Sequence, residues 1–305
     1  MTFAASRFPR RLIRGRFWLP ALLALVLPDE SSFANQPDPR IGVEVVLKSW
    51  DTPLRVGTQT SQGRLPHRVF RVEKTQGEWL WIVAPSFHGW VKEEELVALD
   101  RALAYFDAEA LAHPDDFGNY LRRGHLLARK GEFDKAQANF DEAARLAPWD
   151  PVCFHDRGLF WYNRRTFDRA LADCDESVRL DPSYANAYDL RARVHLALKD
   201  YVKALADSDE LIRLGPEVAP NFLLRAVIRY ESRDLDRALK DASTAIRLDS
   251  TNGFAFQLRG AIRLKKGDVD AAIMDCDTAL LIDPRDENSR RNREIARKLK
   301  DRTSR

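Results

Sequence analysis

Two short stretches, "ADCDES" at 172–177 and "MDCDTA" at 274–279, each set a cysteine between two aspartates. Asp173, Cys174 and Asp175, and again Asp275, Cys276 and Asp277, are competent metal ligands, and a thiol among acids could also serve redox chemistry. The spacing argues for something plainer, because the two triplets lie 102 residues apart, three times 34. On a helix, side chains two residues apart diverge by about 200°, so the acids of one triplet cannot share an ion. The only other cysteine is Cys153, there is no CxxC, and three thiols do not make a disulfide framework. HExxH, GxSxG, Walker and GxGxxG patterns are missing. The histidines (His67, His88, His113, His125, His155 and His195) are scattered. No enzyme, metal or cofactor is expected.

Rows of 34 residues bring five units into register: 117–150, 151–184, 185–218, 219–252 and 253–286. The eighth place is small throughout (Gly124, Gly158, Ala192, Ala226, Gly260), and the twentieth is always alanine (Ala136, Ala170, Ala204, Ala238, Ala272). Small residues at both places let two helix axes approach closely. The fourth place is always aromatic: Tyr120, Phe154, Tyr188, Phe222 and Phe256. Proline closes four rows, where a helix must stop (Pro148, Pro182, Pro216, Pro284). Such a period signifies stacked helix–turn–helix units.

These rows closely resemble the tetratricopeptide repeat family. Two places depart from its pattern, Leu211 at the small twenty-seventh place and Ser250 where a closing proline is usual. Cys174 and Cys276 both occupy the twenty-fourth place, beside Phe140, Ser208 and Ala242, where a thiol serves as a small core hydrophobe. The seventh place is arginine in every row, Arg123, Arg157, Arg191, Arg225 and Arg259, and one period later Arg293. The twenty-third reads Asn139, then Asp173, Asp207, Asp241 and Asp275. An arginine beside the close-contact place needs a partner. The aspartate of its own row and that of a neighbouring row are both open as that partner, and row one supplies only a neutral amide.

Before the repeats, residues 41–99 are short β-rich runs broken by Gly, Pro and Gln. In "EWLWIVA", Trp79 and Trp81 share one face and Leu80 and Ile82 the other, so both faces should be at least half buried. The order of runs, with "WLWIV" and then "GWV", resembles bacterial Src-homology-3-like domains, which implies a small all-β barrel. Trp50, Trp79 and Trp90 are then either its core or part of the exposed aromatic groove that such domains use for peptides or cell-wall stems. Residues 100–116 read as a connecting half repeat, and 287–305 as a polar capping helix of the kind solenoids need.

Residues 1–34 run from five arginines through the 11-residue apolar stretch "FWLPALLALVL" to a small-residue site at "SFA". That order is a secretory signal peptide, and the run is shorter than the ~20 residues a spanning helix needs. An uncleaved anchor and a chance apolar start are the alternatives. The chain's charge of +3 resides in this segment, and the remainder is formally neutral, which speaks against nucleic acid as a partner. The expected product is exported, periplasmic or extracellular, with no span in the mature chain.

The expected architecture is mainly α, a five-unit helical solenoid behind the small β domain. In the family it resembles, first helices line a concave groove. The matching places here include His125, Arg129, His155, Tyr162, Asn163, Asp189, Arg193, Tyr230 and Lys265. The family's carboxylate clamp is not reproduced, since Leu121, His125 and Asp156 stand at its places. The resemblance implies a non-enzymatic scaffold of the cell envelope that holds peptide or protein partners. The alternative is cell-wall recognition by the β domain, with the repeats as an assembly arm.

Overall fold

A computed structural model describes residues 38–49, 52–56, 59–60, 69–84 and 87–303, so the expected signal segment, Trp50 and His67 lie outside it. Among the described residues the β-rich runs form seven strands: β1 Glu44–Leu47, β2 Arg55–Val56, β3 Gln59–Thr60, β4 Phe70–Gln76, β5 Trp79–Ala84, β6 Phe87–Lys92 and β7 Leu96–Ala98. They pair antiparallel in the order β3-β2-β6-β5-β4-β1-β7. This corrects the expected barrel. Among the described residues β3 and β7 are edges of an open sheet, and closing it would require a longer ladder than β2 and β3, at two residues each, supply.

Period-two alternation decides which face is buried. Leu80, Ile82 and Ala84 of β5 point into a core with Val45, Phe70, Val72 and Val91, whereas Trp79 and Trp81 stay half buried on the other face. Trp90 joins them, its ring 5.4 Å from that of Trp81, and the Arg55 guanidinium lies 4.3 Å over Trp79. Trp79, Trp81 and Trp90 are therefore not part of this domain's buried core.

Twelve helices follow among the described residues: α1 Leu99–Ala112, α2 Phe117–Arg129, α3 Phe133–Leu146, α4 Pro151–Asn163, α5 Phe167–Leu180, α6 Ala185–Ala197, α7 Tyr201–Leu214, α8 Ala219–Glu231, α9 Leu235–Leu248, α10 Gly253–Lys266, α11 Val269–Ile282 and α12 Glu287–Thr303. Each 34-residue row is one hairpin, α2/α3 through α10/α11. Starts are set by local chemistry: the Asp116 and Asp150 side chains accept from the Gly118 and Val152 amides, and Pro151 opens α4. The hairpin turn places its fifteenth residue in the left-handed region in every row, as Gly131, Arg165, Lys199, Arg233 and Gly267.

Close approach of the two helices explains the small residues. All five twentieth-place alanines are fully buried. A Cβ on Gly124 would lie 2.8 Å from the Phe140 ring, and one on Gly260 3.1 Å from Cys276 Sγ. Cys153, Cys174 and Cys276 are buried free thiols. Burial pushes the Cys174 thiol up to about 12 and that of Cys276 to about 11. They are core atoms.

Candidate functional site

Two side-chain systems run the length of the helical array. The first answers the question raised by the aspartate–cysteine–aspartate triplets. Within each row from the second, the seventh-place arginine donates to the twenty-third-place aspartate: Arg157 to Asp173, Arg191 to Asp207, Arg225 to Asp241 and Arg259 to Asp275, with closest contacts of 2.7–2.8 Å. The same guanidinium reaches back to an acid at the twenty-fifth place of the preceding row. Arg157 meets Asp141 at 2.9 Å, Arg191 meets Asp175 at 2.7 Å, and Arg225 meets Asp209 at 2.7 Å. Arg123 reaches Asp107 of α1 and Arg293 of α12 reaches Asp277 in the same way. The ladder thus pairs both within and between repeats. Each triplet supplies one acid to its own hairpin and one to the next, on opposite sides of a buried cysteine.

Two rungs differ. Ser243 stands where the fourth row should carry the clasping acid, so Arg259 has no acid of the preceding repeat among the described residues. In row one, Asn139 donates to Lys135 O at 2.8 Å instead of pairing with Arg123. Its Oδ1 and the Arg123 Nε are left buried without a hydrogen bond, the latter 2.9 Å from Asp107 but misaligned for one. The buried aspartates collect further cations where the sequence allows: Arg229 reaches Asp241 at 2.6 Å and Arg263 reaches Asp275 at 2.8 Å. Asp173 has a single arginine of its own row, and burial there raises its carboxyl above the usual range. The arginines also sit 5.5–5.8 Å over the fourth-place rings one turn earlier, from Arg123 on Tyr120 to Arg259 on Phe256.

The second system is the row of first helices, α2, α4, α6, α8 and α10, each packed against the next. His125 of α2 and His155 of α4 meet on one carboxylate: their ring nitrogens lie 2.9 Å from Asp156 Oδ2 and Oδ1, respectively. Asp156 is buried, and the rings are wedged edge-on against Phe140 and Tyr184. One helix farther on, Arg193 donates to Asp189 at 2.6 Å, and this bond holds its guanidinium above the ordinary value. Lys265 lies 4.0 Å over the Tyr230 ring. Tyr162 packs beside Phe167 at 6.1 Å, and Asn163 is exposed at the end of α4. Arg129 is drawn away from the others, toward Glu44 of β1 at 3.1 Å.

Asp156 is not among the groove residues expected from the sequence, although its place beside His155 on a first helix was the available signal. Leu121 is fully buried, so two of the three places of the carboxylate clamp, Leu121 and Asp156, face the core. His195 is buried at a helix interface with its Nε2 4.0 Å from Asp207, beyond hydrogen-bond reach. Among the described residues no three ligating side chains are grouped to hold a metal ion, and no helix is long and apolar enough to cross a membrane.

Comparison with known proteins agrees with this geometry. Residues 118–148 and 159–219 each match a family model described as tetratricopeptide repeat. No curated protein sequence matches the chain. Among solved structures, YrrB, described as a TPR protein with an unusual peptide-binding site, is 17% identical, covers 62% of this chain and 97% of its own, with a TM-score of 0.50. TTC0263, a thermophilic TPR protein of Thermus thermophilus, is 22% identical over 59% of this chain and 98% of its own, also at 0.50. Yeast Tom70 is 19% identical, covering 66% of this chain and 43% of its own at 0.56. These likenesses concern the fold. The helical part of the chain has the fold of a tetratricopeptide-repeat solenoid.

Proposed function

We propose that this chain is an exported, non-catalytic scaffold of the cell envelope whose first-helix groove binds an extended peptide or a protruding segment of a protein partner. One observation carries the reading. His125 and His155 are fixed by a single buried carboxylate, so two polar side chains from neighbouring repeats are held in place before any ligand arrives. Preorganised polar groups beside apolar walls such as Leu159, Leu196 and Val227 suit peptide capture better than catalysis. YrrB's described peptide-binding site, on a similar solenoid, supports the same direction. The test is a pull-down from envelope extract with the full chain and with His155→Ala and Arg193→Ala. The partner set retained by the wild type should be lost by both. Retention of every partner by both variants would remove the groove from the proposal.

A second reading has its own support. Trp79, Trp81 and Trp90 share the sheet face turned away from the core, with Arg55 stacked on Trp79. Such a face suits cell-wall material. Sedimentation with purified cell walls that is abolished by Trp90→Ala and unaffected by Arg193→Ala would favour the sheet as the ligand-binding unit. Export is tested separately: amino-terminal sequencing from the native host should begin after Ala34, and a start at Met1 in the cytoplasm would overturn it.

A further inference from the structure

Beyond the fifth row the 34-residue period runs on into α12, which the sequence reads only as a polar cap. Its third and tenth places, Ser289 and Ala296, are fully buried, and the same two places are buried in all five first helices. Its seventh place, Arg293, makes the rung to Asp277 at 2.8 Å. The helix packs against α11 and also against α10. It therefore occupies the position of a sixth first helix, and its fifth, ninth, twelfth and thirteenth places fall where the groove residues of the rows fall. Those places hold Arg291, Ile295, Lys298 and Leu299, all exposed, Ile295 at 41% and Leu299 at 37%.

This end of the groove differs in charge from the other. Toward α1 the basic side chains are engaged: Arg129 with Glu44, Arg193 with Asp189, and both His125 and His155 with Asp156. Toward α12, Lys265, Arg291 and Lys298 make no ion pair among the described residues, and Lys265 rests on the Tyr230 ring. Helical register brings the three together. Arg291 and Lys298 are seven residues apart, two turns or about 10 Å along one face. Lys265 holds the same place in its helix as Leu299 does in α12, one interaxial spacing of about 8–10 Å away. Among the groove places of α8, α10 and α12 the one acid is Glu231. Glu294 stands at the eighth place, which in the rows faces the second helix, and so lies off this surface. Four residues of an extended peptide cover the about 10 Å between the two α12 cations.

We propose that α12 lengthens the groove and that Arg291, Lys298 and Lys265 take an acidic stretch of the bound peptide, whose aliphatic side chains lie on Ile295 and Leu299. This rests on the groove reading above and adds the chemistry of one part of its ligand. Calorimetric titration of the full chain tests it with an acetylated, amidated heptapeptide alternating glutamate and leucine, its lysine–leucine and glutamate–serine counterparts, and inorganic polyphosphate. The glutamate–leucine peptide should saturate at one per chain, glutamate–serine should bind at least about fivefold more weakly, and lysine–leucine should give no measurable saturation. Arg291→Glu/Lys298→Glu alters two exposed side chains and should weaken the glutamate–leucine peptide at least about tenfold. Should that variant fail to fold by circular dichroism, Lys265→Glu decides, with an expected loss of about fivefold. Unchanged affinity in the folded variant would overturn the proposal. Loss of the same peptide in Arg193→Ala would then leave the groove standing without its sixth helix, and retention there as well would remove both. Failure of the glutamate–leucine peptide to saturate would overturn the proposal while the pull-down still judges the groove. Equal affinity for the lysine–leucine peptide or for polyphosphate would overturn it too.

Discussion

Asp207→Ala should be among the most destabilising single changes on the polar side of the solenoid, and Asp209→Ala, two residues away, should be mild. The two acids serve adjacent rungs. Asp207 keeps 7% of its side chain exposed and takes both Nε and Nη2 of Arg191, with His195 4.0 Å away. Asp209 is 58% exposed and takes one contact, from Arg225 Nη1. Removing one member of a buried pair costs about 3–5 kcal/mol because the other is stranded. Here Arg191 retains Asp175 at 2.7 Å, which places the expected loss near the lower end, about 3 kcal/mol. Removing the exposed clasp should cost at most about 1 kcal/mol. For an array of this size, a loss of about 3 kcal/mol corresponds to a fall in Tm of roughly 6–12 °C, against roughly 2–4 °C for Asp209→Ala. Urea and thermal unfolding followed by far-ultraviolet circular dichroism read both. Equal small losses would refute the view that the within-row pair is a buried structural element. A larger loss for Asp209→Ala would show that the joint between repeats, and not the hairpin, limits stability.

Asn139→Asp supplies the acid that row one lacks, giving the unbonded Arg123 Nε an acceptor, and should raise stability by about 1 kcal/mol in the same melts. A fall in Tm would mean that the Asn139 bond to Lys135 O matters more. Burial holds the His195 imidazole below its ordinary 6.5, so the unfolded chain takes up a proton there before the folded one does. His195 therefore costs stability progressively as pH falls below about 6.5, and His195→Gln should flatten that part of the pH–stability curve relative to wild type. Cys174 and Cys276, their thiols raised to about 12 and 11, should resist alkylation at pH 8 until the chain is unfolded; rapid native labelling would contradict their placement. Lys199→Gly relieves a left-handed φ of 61° in an exposed turn and should raise Tm, by about 1 kcal/mol in stability terms.

The helical half was legible because its constraints repeat. Alanine at the twentieth place and glycine or alanine at the eighth report a close approach that each row must solve alike, and Phe140 against Gly124 shows why. The arginine-over-aromatic stack is equally legible, since places four and seven lie one turn apart. The clasping acids were harder to see. Asp141, Asp175 and Asp209 are exposed and look like solvated surface until the stacking of one hairpin on the next is known. The groove was read only by place number. Nothing local indicates that Arg129 will turn to Glu44, 85 residues earlier, because that contact depends on how the sheet docks. The open sheet was missed for a related reason: closure is decided by the length of β2 and β3, which no alternation pattern encodes.

Arg157, Arg191 and Arg225 each take acids from two repeats, while Arg123 and Arg293 tie the terminal repeats to α1 and α12, and this sets rules for how the chain can be shortened or lengthened. Excising 151–184 would bring Arg191 against Asp141, an acid at the same place as the lost Asp175, so the seam re-forms from equivalent atoms. Excising 219–252 would bring Arg259 against Asp209 and create a clasp that the native fourth seam lacks. Excising 253–286 would instead present Ser243 to Arg293, exchanging the 2.8 Å contact with Asp277 for a hydroxyl and leaving the capping helix with a weaker hold. The units are interchangeable by position but not by junction, and the order in which they follow one another is itself part of what the sequence specifies.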